Sequence, residues 1–334
     1  MPTMKAFVLD GYGGPSVASL RDVPVPEPRP GELRIRVRAA ALNPVDYKIR
    51  EGKLALVAKL GFPAVLGCEL AGVVDALGEG VARFFVGDDV IVRLGRDAIG
   101  AFAEWACVDA ALAARKPRTV DFEHAAALPL AGLTSLQVLR DELHVVAGQR
   151  IFIPGGAGGV GAYAIQLAQW LGAEVTTIAS SRGRALVERL GASVVVDYTQ
   201  PFPELPEHDG AFDLVGGASL ARCFDVVRHG GRVVSIAGVP EPRMATQDLG
   251  RGFPLTALLW AISAPTRFHA WRRGVDYRYY LMHPDAAMLA ELAGLVDAGT
   301  LEIVVDRVFP FAEIADAFAY LEQGRAKGKV VVRM

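Results

Sequence analysis

Short apolar runs separated by turn residues fill the first third of the chain. Three of them, LRIRVRAAAL (33–42), AGVVDALG (71–78) and VGDDVIVRLG (86–95), are bounded by Gly, Pro and Asp, which is typical of strand ends. Residues 24–32, PVPEPRPGE, have the composition of a loop. Short strands at this close spacing predict a small β-barrel or sandwich of about 110–120 residues.

From residue 121 the pattern changes to helical spacing. Residues 121–141 predict a helix with Asp121 as its N-cap, because apolar positions recur at intervals of three and four. Beyond Gln149, apolar runs alternate with helical segments, which predicts βαβ units and a parallel sheet. The predicted strands lie at 150–156, 173–181, 193–198, 211–217 and 231–238, and the predicted helices at 162–173 and 182–192.

Residues 241–284 have the least regular pattern. The stretch 260–280, WAISAPTRFHAWRRGVDYRYY, combines Trp260, Phe268 and Trp271 with a tyrosine cluster and four arginines. It predicts an amphipathic helix that packs its aromatic side chains inward and leaves the arginines in solvent. The alternative is a substrate-pocket wall or a subunit contact, because aromatic and arginine side chains are enriched at such surfaces.

Composition and charge exclude several classes of protein. Lys plus Arg number 35 and Asp plus Glu number 37, so the net charge is −2. The chain therefore lacks the basic excess of a nucleic-acid-binding or basic membrane-surface protein. With 52% hydrophobic and 22% charged residues, it differs from a disordered chain and suits a sheet buried on both faces.

No stretch of the sequence predicts membrane insertion or export. The most apolar one, FPLTALLWAISAP (253–265), is shorter than the ~20 residues that a membrane-spanning helix needs. The first residues, MPTMKAFVLDGYGG, have no apolar core followed by a small-residue cleavage site. We therefore expect a soluble, cytoplasmic protein.

The cysteine and histidine residues predict no metal site. Cys68, Cys107 and Cys223 lie far apart without a CxxC pair, so neither a disulfide framework nor a structural zinc site is available. The six histidines do not cluster at ligand spacing, and there is no HExxH motif. We therefore expect no bound metal.

The strongest chemical signal lies at 151–173, IFIPGGAGGVGAYAIQLAQWLGA, where an apolar strand runs into G-x-G-x-x-G and the motif opens a helix. Glycines at these positions permit a tight turn and close approach to a pyrophosphate, which the helix N-terminus then attracts. The motif predicts dinucleotide binding, and a plain glycine-rich turn is the alternative. The candidate cofactor residues are Gly156, Ala157, Gly158, Gly159, Val160 and Gly161.

The end of the next predicted strand bears on the choice of dinucleotide. NAD-preferring sites usually have a carboxylate there, whereas this chain has SSRGR at 180–184. Hydroxyl and guanidinium groups suit the 2′-phosphate of NADPH, at about 1.5–3 kcal/mol for each charge-assisted hydrogen bond. We therefore predict NADPH, with a solvated helix start as the alternative. The candidates are Ser180, Ser181, Arg182 and Arg184.

Taken together, these motifs resemble the medium-chain dehydrogenase/reductase superfamily. The chain is most similar to its zinc-independent quinone oxidoreductase branch, which includes the NADPH-dependent alkenal and enone reductases. The resemblance runs from Met4 to Met334. Its motifs are ALNPVDYKIREG (41–52), GCELAGVV (67–74), VGDDV (86–90), LPLAGLTSL (128–136), GGAGGVGAYAIQLA (155–168), GASVVVDY (191–198) and RAKGKVVV (325–332).

The resemblance implies an α/β protein with a GroES-like β-barrel catalytic domain and a Rossmann domain built on a doubly wound parallel sheet. Residues 1–120 are then the first part of the catalytic domain, 121–260 the NADP-binding domain, and 261–334 the return to the catalytic domain. It also implies a homodimer. The zinc-ligand positions of the superfamily match Asn43, Cys68 and Ala131, so two of the three ligands are missing and the third has changed type.

The missing ligands favour one kind of hydride acceptor. Hydride delivery to an isolated ketone leaves a localised alkoxide, which zinc would stabilise, whereas quinones and α,β-unsaturated carbonyls spread the charge themselves. We therefore predict an NADPH-dependent reductase of these small molecules. The alternatives are a non-catalytic NADPH-binding protein of the same fold and a zinc alcohol dehydrogenase.

The resemblance also implies site residues. The NPVD motif lies near the nicotinamide, so Asn43, Tyr47 and Lys48 are the catalytic candidates, with Lys48 or Tyr47 donating to the enolate or carbonyl oxygen. Asp46 is a cofactor-binding candidate, or fixes this loop through backbone hydrogen bonds. Lys329 reaches toward the cofactor, or is a solvated strand-edge lysine. The other cofactor candidates are Thr134, Tyr198, Ala237, Gly238 and Val239.

Overall fold

The computed structural model describes residues 2–55, 60–95 and 99–334. Its internal contacts divide the chain into two compact units. Unit 1 comprises Met1–Leu133, Pro284–Gly299 and Ile303–Met334, and unit 2 comprises Thr134–His283 and Thr300–Glu302. This is not the same division as the predicted domains 1–120, 121–260 and 261–334, whose boundaries remain a prediction.

The strands and helices are numbered along the chain. The strands are β1 (Thr3–Leu9), β2 (Ala18–Pro24), β3 (Glu32–Leu42), β4 (Ala64–Val65), β5 (Glu69–Leu77), β6 (Asp89–Arg93), β7 (Trp105–Asp109), β8 (Ala113–Arg115), β9 (Arg150–Pro154), β10 (Glu174–Ala179), β11 (Val194–Asp197), β12 (His208–Asp213), β13 (Val227–Ser235), β14 (Asp276–Tyr279), β15 (Val305–Pro310) and β16 (Lys329–Arg333). The helices are α1 (Pro44–Arg50), α2 (Phe122–Ala126), α3 (Pro129–Leu136), α4 (Gly161–Trp170), α5 (Ser181–Arg189), α6 (Ala218–Val226), α7 (Leu255–Ile262), α8 (Ala264–Arg272), α9 (Ala286–Asp297) and α10 (Ile314–Glu322). Single 3-10 turns lie at Pro15–Val17, Ala110–Leu112 and Phe311–Glu313, and π-helical turns at Gln137–Glu142 and Met244–Asp248.

Unit 1 is built from two sheets. One has the order β2-β1-β4, and the other has the order β15-β16-β3-β5-β6-β8, with β7 also pairing with β3. Only the β15–β16 pair is parallel within the described part of this unit. The strands predicted at 33–42, 71–78 and 86–95 are confirmed as β3, β5 and β6. The last strand of the chain, β16, pairs with β3, so the end of the chain completes the sheet that its first third begins.

Unit 2 contains a six-stranded parallel sheet in the order β11-β10-β9-β12-β13-β14. The chain order reverses between β9 and β12, which is the topological switch point of a doubly wound sheet. Helix α4 packs on β9 and β10, whereas α6 packs on β9, β12 and β13. Right-handed crossovers that run in opposite directions from β9 place these helices on opposite faces. The predicted doubly wound parallel sheet is confirmed.

The helix predicted at 121–141 is interrupted. Asp121 caps α2 as expected, because its carboxylate accepts the His124 backbone N–H at 2.8 Å. Helix α2 ends at Ala126, and α3 begins at Pro129. Proline has no N–H to donate to the preceding turn, so it starts a new helix instead of continuing the first.

The predicted packing of residues 260–280 is wrong for three aromatic side chains and for one of the four arginines. Two short helices, α7 and α8, occupy part of this segment, and they expose Trp260, Phe268 and Trp271 by 60%, 57% and 72%. Conversely Arg278 is only 2% exposed, because it forms ion pairs with the carboxylates of Glu241 and Asp248. The strand that carries it, β14, belongs to the parallel sheet of unit 2, although we expected residues 261–334 to return to the first domain.

Among residues 2–55, 60–95 and 99–334, no helix has both the length and the apolar character needed to cross a bilayer.

Candidate functional site

The turn between β9 and α4 requires two of its glycines for packing. A Cβ on Gly156 would lie 2.2 Å from the Thr177 hydroxyl oxygen of β10. A Cβ on Gly161 would lie 2.4 Å from the carbonyl oxygen of Gly155. At Gly158 the nearest atom to a Cβ would be the same carbonyl oxygen, at 3.3 Å, and the remaining space is open. The turn therefore brings strand and helix close together and keeps its middle accessible.

A cavity of about 390 Å³ opens at the carboxyl ends of the strands on both sides of the switch point. Ligands of open α/β sheets bind at this position. Tyr198, from the connection after β11, lines the cavity and is 66% exposed, and its predicted role in cofactor binding remains a prediction. The other lining residues include Gly155, Ile178, Phe202, Val215, Ser219 and Arg222.

One cation of this cavity was not found by sequence reasoning. The Arg222 guanidinium of α6 lies 3.8 Å above the centre of the Phe202 ring, within the range of a cation–π contact. Both side chains line the cavity beside Tyr198. Arg222 lies in the second turn of α6 and not at the end of a strand. A search of the sequence for polar residues at strand ends therefore does not identify it.

The four residues predicted to bind the 2′-phosphate lie at the start of α5, where Ser180 is the N-cap. Ser181 and Arg182 are exposed in the first turn. The Arg184 guanidinium is directed elsewhere, because it donates to the Glu188 carboxylate at 3.1 Å and to the Val195 carbonyl at 3.0 Å. The predicted phosphate contacts of these four residues remain predictions.

A buried hydrogen-bond network joins the ends of β12 and β13. Asp213 is fully buried, and its carboxylate accepts the Gly216 N–H at 3.0 Å and the Ser235 hydroxyl at 2.6 Å. The Ser235 oxygen in turn accepts the N–H groups of Ala237 at 3.2 Å and Gly238 at 2.8 Å. The predicted cofactor segment 237–239 is therefore held by a carboxylate on the neighbouring strand. Asp213 and Ser235 were not among the predicted site residues. Both are the last residues of their strands, and ligands of parallel sheets bind at the carboxyl ends of the strands, so this position was the signal that could have identified them.

The last residue of this segment is held from β14. The Tyr277 hydroxyl donates to the Val239 carbonyl oxygen at 2.7 Å. Burial raises the pKa of Tyr277 above its usual range, and Asp213 adds to the effect, so the hydroxyl keeps its proton. A Cβ on Gly238 would lie 2.7 Å from the same hydroxyl oxygen.

Unit 1 contains a second cluster of buried polar groups. The Lys329 ammonium donates to Glu69 Oε1 at 2.8 Å and to Asn43 Oδ1, and Asn43 Nδ2 donates to Glu69 Oε1 at 2.7 Å. Glu69 Oε2 accepts the Leu130 N–H at 2.6 Å. Asn43 and Lys329 are each 3% exposed and Glu69 is fully buried. The alternative of a solvated strand-edge lysine is therefore wrong for Lys329. Glu69, which matches an acidic position of the family, was not among the predicted site residues.

Asp46 fixes the loop that enters α1. Its Oδ2 accepts the Asn43 backbone N–H at 2.7 Å, and the side chain is fully buried. Burial raises the pKa of Asp46 to about 6, although hydrogen bonds from the Cys68 thiol and the Asn43 amide oppose the shift. The hydrogen bond from the Asn43 N–H agrees with the structural alternative given for Asp46, in which its carboxylate fixes the loop through backbone hydrogen bonds.

We expect the variant Asp46→Asn to be more stable than the wild type at about pH 8 and equally stable near pH 4. The folded-state pKa of about 6 exceeds the ordinary value of 3.8, so the folded chain holds this proton more tightly than the unfolded one. The contribution to stability is complete below about pH 4 and is lost as the pH rises through 6, by up to about 3 kcal/mol. Asparagine keeps an oxygen for the Asn43 N–H and carries no charge.

Urea denaturation of both proteins over this pH range measures the effect. The difference in the free energy of unfolding between variant and wild type isolates Asp46 from all other titrating groups. A wild type that gains stability relative to Asp46→Asn between about pH 4 and pH 8 would contradict the buried, proton-holding carboxyl.

Two family models match the chain. The alcohol dehydrogenase GroES-like domain matches residues 29–118, and the zinc-binding dehydrogenase model matches residues 190–332. An Arabidopsis thaliana protein named NADPH-dependent alkenal/one oxidoreductase, chloroplastic, is 35% identical over 98% of this chain and 79% of its own length. The chain belongs to the medium-chain dehydrogenase/reductase superfamily. The predicted GroES-like and Rossmann domains of this superfamily are thereby confirmed.

Other members of the superfamily are similar over the whole chain. The structure of the quinone oxidoreductase from Coxiella burnetii has a TM-score of 0.85 and 32% identity, with all of both chains covered. The chloroplast envelope quinone oxidoreductase homolog of Arabidopsis thaliana is 30% identical over 98% of each chain. Because the names of these relatives include chloroplastic and mitochondrial proteins, a cytoplasmic location remains a prediction.

The residues at the superfamily's zinc positions do not fit a zinc ion. The amide of Asn43 is engaged by Glu69 and Lys329, and the Lys329 ammonium brings a positive charge to the same cluster. Burial raises the pKa of the Cys68 thiol well above its usual value, which opposes the thiolate that zinc needs. Ala131 has no donor atom. Within the described part of the chain, no group of three His, Cys, Asp or Glu residues is arranged to hold a metal.

The remaining candidates of the superfamily motifs lie on α1 and α3. Lys48 is half-buried, and burial together with Lys53 lowers its pKa. Burial raises the pKa of Tyr47, and the Glu322 carboxylate adds to the shift, so the phenol is a weaker acid than usual. Thr134 is buried on α3, at 3% exposure. The functional roles of these three residues remain predictions.

Proposed function

We propose that this protein is an NADPH-dependent reductase that delivers hydride to quinones or α,β-unsaturated carbonyl compounds without zinc. The observation that carries the proposal is the Lys329–Glu69–Asn43 cluster at the superfamily's metal position. An ammonium already balances the buried carboxylate there, so a divalent cation would meet like charge. An alkoxide-stabilising Lewis acid is therefore not part of this proposal.

The proposal of NADPH rests on the architecture of unit 2. The glycine turn leaves Gly158 open, the cavity begins beside it at Gly155, and Ser181 and Arg182 offer hydrogen bonds to a phosphate. A mycobacterial relative, 26% identical with a TM-score of 0.81, has a structure complexed with NADPH. When bound, the dinucleotide supplies the hydride. The Asp213–Ser235 network pre-orients the segment 237–239 that we predict to meet its carboxamide.

Conjugated acceptors suit a site of this kind because they spread the developing negative charge over a ring or an enolate. The chain then needs to supply only hydrogen bonds and one proton. Lys48 is the better of the two candidate donors, because burial lowers its pKa whereas the pKa of Tyr47 is raised. We propose that the Lys48 ammonium donates to the enolate or carbonyl oxygen.

The test of the function is the loss of NADPH absorbance with benzoquinone, phenanthrenequinone, a 2-alkenal, a vinyl ketone and a saturated aldehyde, with NADH in parallel. We expect turnover only with the conjugated acceptors, and faster with NADPH. Turnover of the saturated aldehyde alone would contradict the acceptor class. Tight NADPH binding without turnover of any acceptor would contradict the enzyme and support the non-catalytic alternative.

A single substitution tests the phosphate contact. We expect Arg182→Ala to raise the KM for NADPH about tenfold or more and to leave the KM for NADH unchanged, because one charge-assisted hydrogen bond is lost. Arg189→Ala is the matched control, since Arg189 lies on the same helix and pairs with Glu302. Equal KM values for NADPH in the wild type and Arg182→Ala would contradict the assignment.

A further inference from the structure

Arg222 is a half-buried cation of α6 that has no role in the function proposed above. Among the described residues that line the cavity at the carboxyl ends of the parallel strands, it is the one with a charged side chain. The structure describes no carboxylate in an ion pair with Arg222, whereas Arg228, at the start of β13, pairs with Asp209. The Arg222 guanidinium therefore keeps its hydrogen-bond donors and its charge for a ligand of this cavity.

The guanidinium lies over an aromatic ring that the core of unit 2 holds in place. Its central carbon is 3.8 Å from the centre of the Phe202 ring. Phe202 in turn meets the buried Phe152 ring of β9 edge-on, with 6.5 Å between the ring centres. The two residues that follow Arg222 on α6, Cys223 and Phe224, are buried in the core cluster that contains Phe152. The fold thus fixes both partners of the cation–π contact.

The walls of the cavity around Arg222 are largely apolar. Ile178 of β10 and Val215 after β12 line it, and Val215 and Tyr198 are exposed by 58% and 66%. The cavity volume of about 390 Å³ lies within the range of about 300–1,000 Å³ that small-molecule sites have. Apolar walls with one planar cation suit a flat aromatic ring system, because such a ring can stack on a guanidinium.

We propose that the Arg222 guanidinium stacks on the adenine ring of the dinucleotide, so that Phe202, the guanidinium and the base form one continuous stack. This inference rests on the proposed function, because it requires the pyrophosphate at the glycine turn. The cavity extends from Gly155 of that turn to Arg222, so the adenosine half of the molecule enters it directly. A planar guanidinium has two faces, of which Phe202 covers one and the base takes the other.

The proposed stack separates affinity for the dinucleotide from the choice between NADPH and NADH. Both molecules contain the same adenine ring, and they differ only in the 2′-phosphate. Arg222 therefore strengthens the binding of both by the same factor, whereas the predicted phosphate contact of Arg182 strengthens the binding of NADPH alone. A guanidinium that bound the 2′-phosphate instead would act on NADPH alone.

Direct binding measurements test the proposal without any turnover. The dissociation constants of NADPH and NADH are measured by fluorescence titration for the wild type, Arg222→Ala and Arg222→Lys. The matched control is Arg228→Ala, which removes an exposed arginine of the same unit that pairs with Asp209. Thermal unfolding of each variant confirms that it is folded.

We expect Arg222→Ala to raise the dissociation constants of NADPH and NADH by the same factor, about tenfold, because one base stack is lost. Arg222→Lys should recover less than half of this loss, since lysine keeps the charge but has no planar face. Arg228→Ala should bind both dinucleotides as the wild type does.

Three results would overturn the stack and leave the proposed function standing. They are wild-type affinity of Arg222→Ala, full recovery by Arg222→Lys, and a loss confined to NADPH, which would assign Arg222 to the 2′-phosphate. A wild type that binds neither dinucleotide overturns the proposed function, and the stack with it. The two failures are therefore distinguished by the wild-type titration alone.

Discussion

Substitution of Gly161 by alanine is expected to abolish tight NADPH binding and to destabilise unit 2. The added Cβ would lie 2.4 Å from the Gly155 carbonyl oxygen and 2.6 Å from Gly156 Cα, so backbone must move. Such overpacking costs about 1–3 kcal/mol of stability. In the proposed complex, displacement of the turn would also remove its hydrogen bonds to the pyrophosphate, and the loss of two such bonds would weaken NADPH binding by about a hundredfold. Dye-monitored thermal unfolding and NADPH fluorescence titration measure the two effects.

Gly158→Ala is the matched control for Gly161→Ala. Its Cβ would approach only the Gly155 carbonyl oxygen, at 3.3 Å, so the fold should lose less than about 1 kcal/mol. The methyl group nevertheless lies in the open middle of the turn, where the phosphates must approach. We therefore expect near-normal unfolding with weakened NADPH binding. Wild-type affinity in both variants would show that this turn does not hold the dinucleotide.

Substitution of Lys329 by methionine is expected to cost about 3–5 kcal/mol of folding free energy. The Lys329 ammonium lies 2.8 Å from the buried Glu69 carboxylate, and methionine would leave that carboxylate without this ion pair. An uncompensated buried charge costs far more than the ion pair itself contributes. Urea denaturation of unliganded protein measures the loss without any assumption about catalysis.

The double variant Lys329→Met with Glu69→Gln tests the cause of that loss. A neutral glutamine removes the buried charge and can still accept one hydrogen bond, from Asn43 or from the Leu130 N–H. We expect the double variant to recover at least half of the stability that the single variant loses. Additive losses would mean that packing of the lysine stem, and not charge balance, explains the effect.

The parts of the site that sequence predicted well are those contained in one short segment. The glycine turn was predicted because strand, turn and helix follow one another between 151 and 173, and short-range sterics select glycine there. For the same reason the sequence left open that Asp46 fixes its loop through backbone hydrogen bonds, and its carboxylate accepts the backbone N–H of Asn43, the N-cap of α1. By contrast, the helix break before Pro129 was not predicted. Proline is a signal for such a break, but the helical spacing of apolar residues continues on both sides of it and favoured one continuous helix.

The residues that pair in the two polar clusters could be identified only from the order of the strands in the two sheets. Lys329 and Glu69 are 260 positions apart, and they meet because β16 and β5 both pair with β3. Asp213 and Ser235 meet because β12 and β13 are neighbours in the parallel sheet. The sequence pattern of a strand does not indicate which strand lies beside it in the sheet. The hydrogen-bond partners of Glu69 and Asp213 therefore could not be predicted from the sequence.

The sequence by itself predicted the α/β fold class and the glycine turn, because local spacing and residue chemistry determine such features. Its resemblance to the superfamily implied that two of the three zinc-ligand positions lack a ligand. Tertiary structure alone decided which buried charges pair, that Arg222 lines the cavity at the carboxyl ends of the parallel strands, and that Trp260 and Trp271 are exposed. These depend on which elements become neighbours, and that choice minimises unpaired buried polar groups and exposed apolar surface over a whole unit. The net charge of −2 also does not reveal that residues 249–275 contain four arginines and no Asp or Glu. Only the structure shows that the helices of this segment expose large apolar side chains.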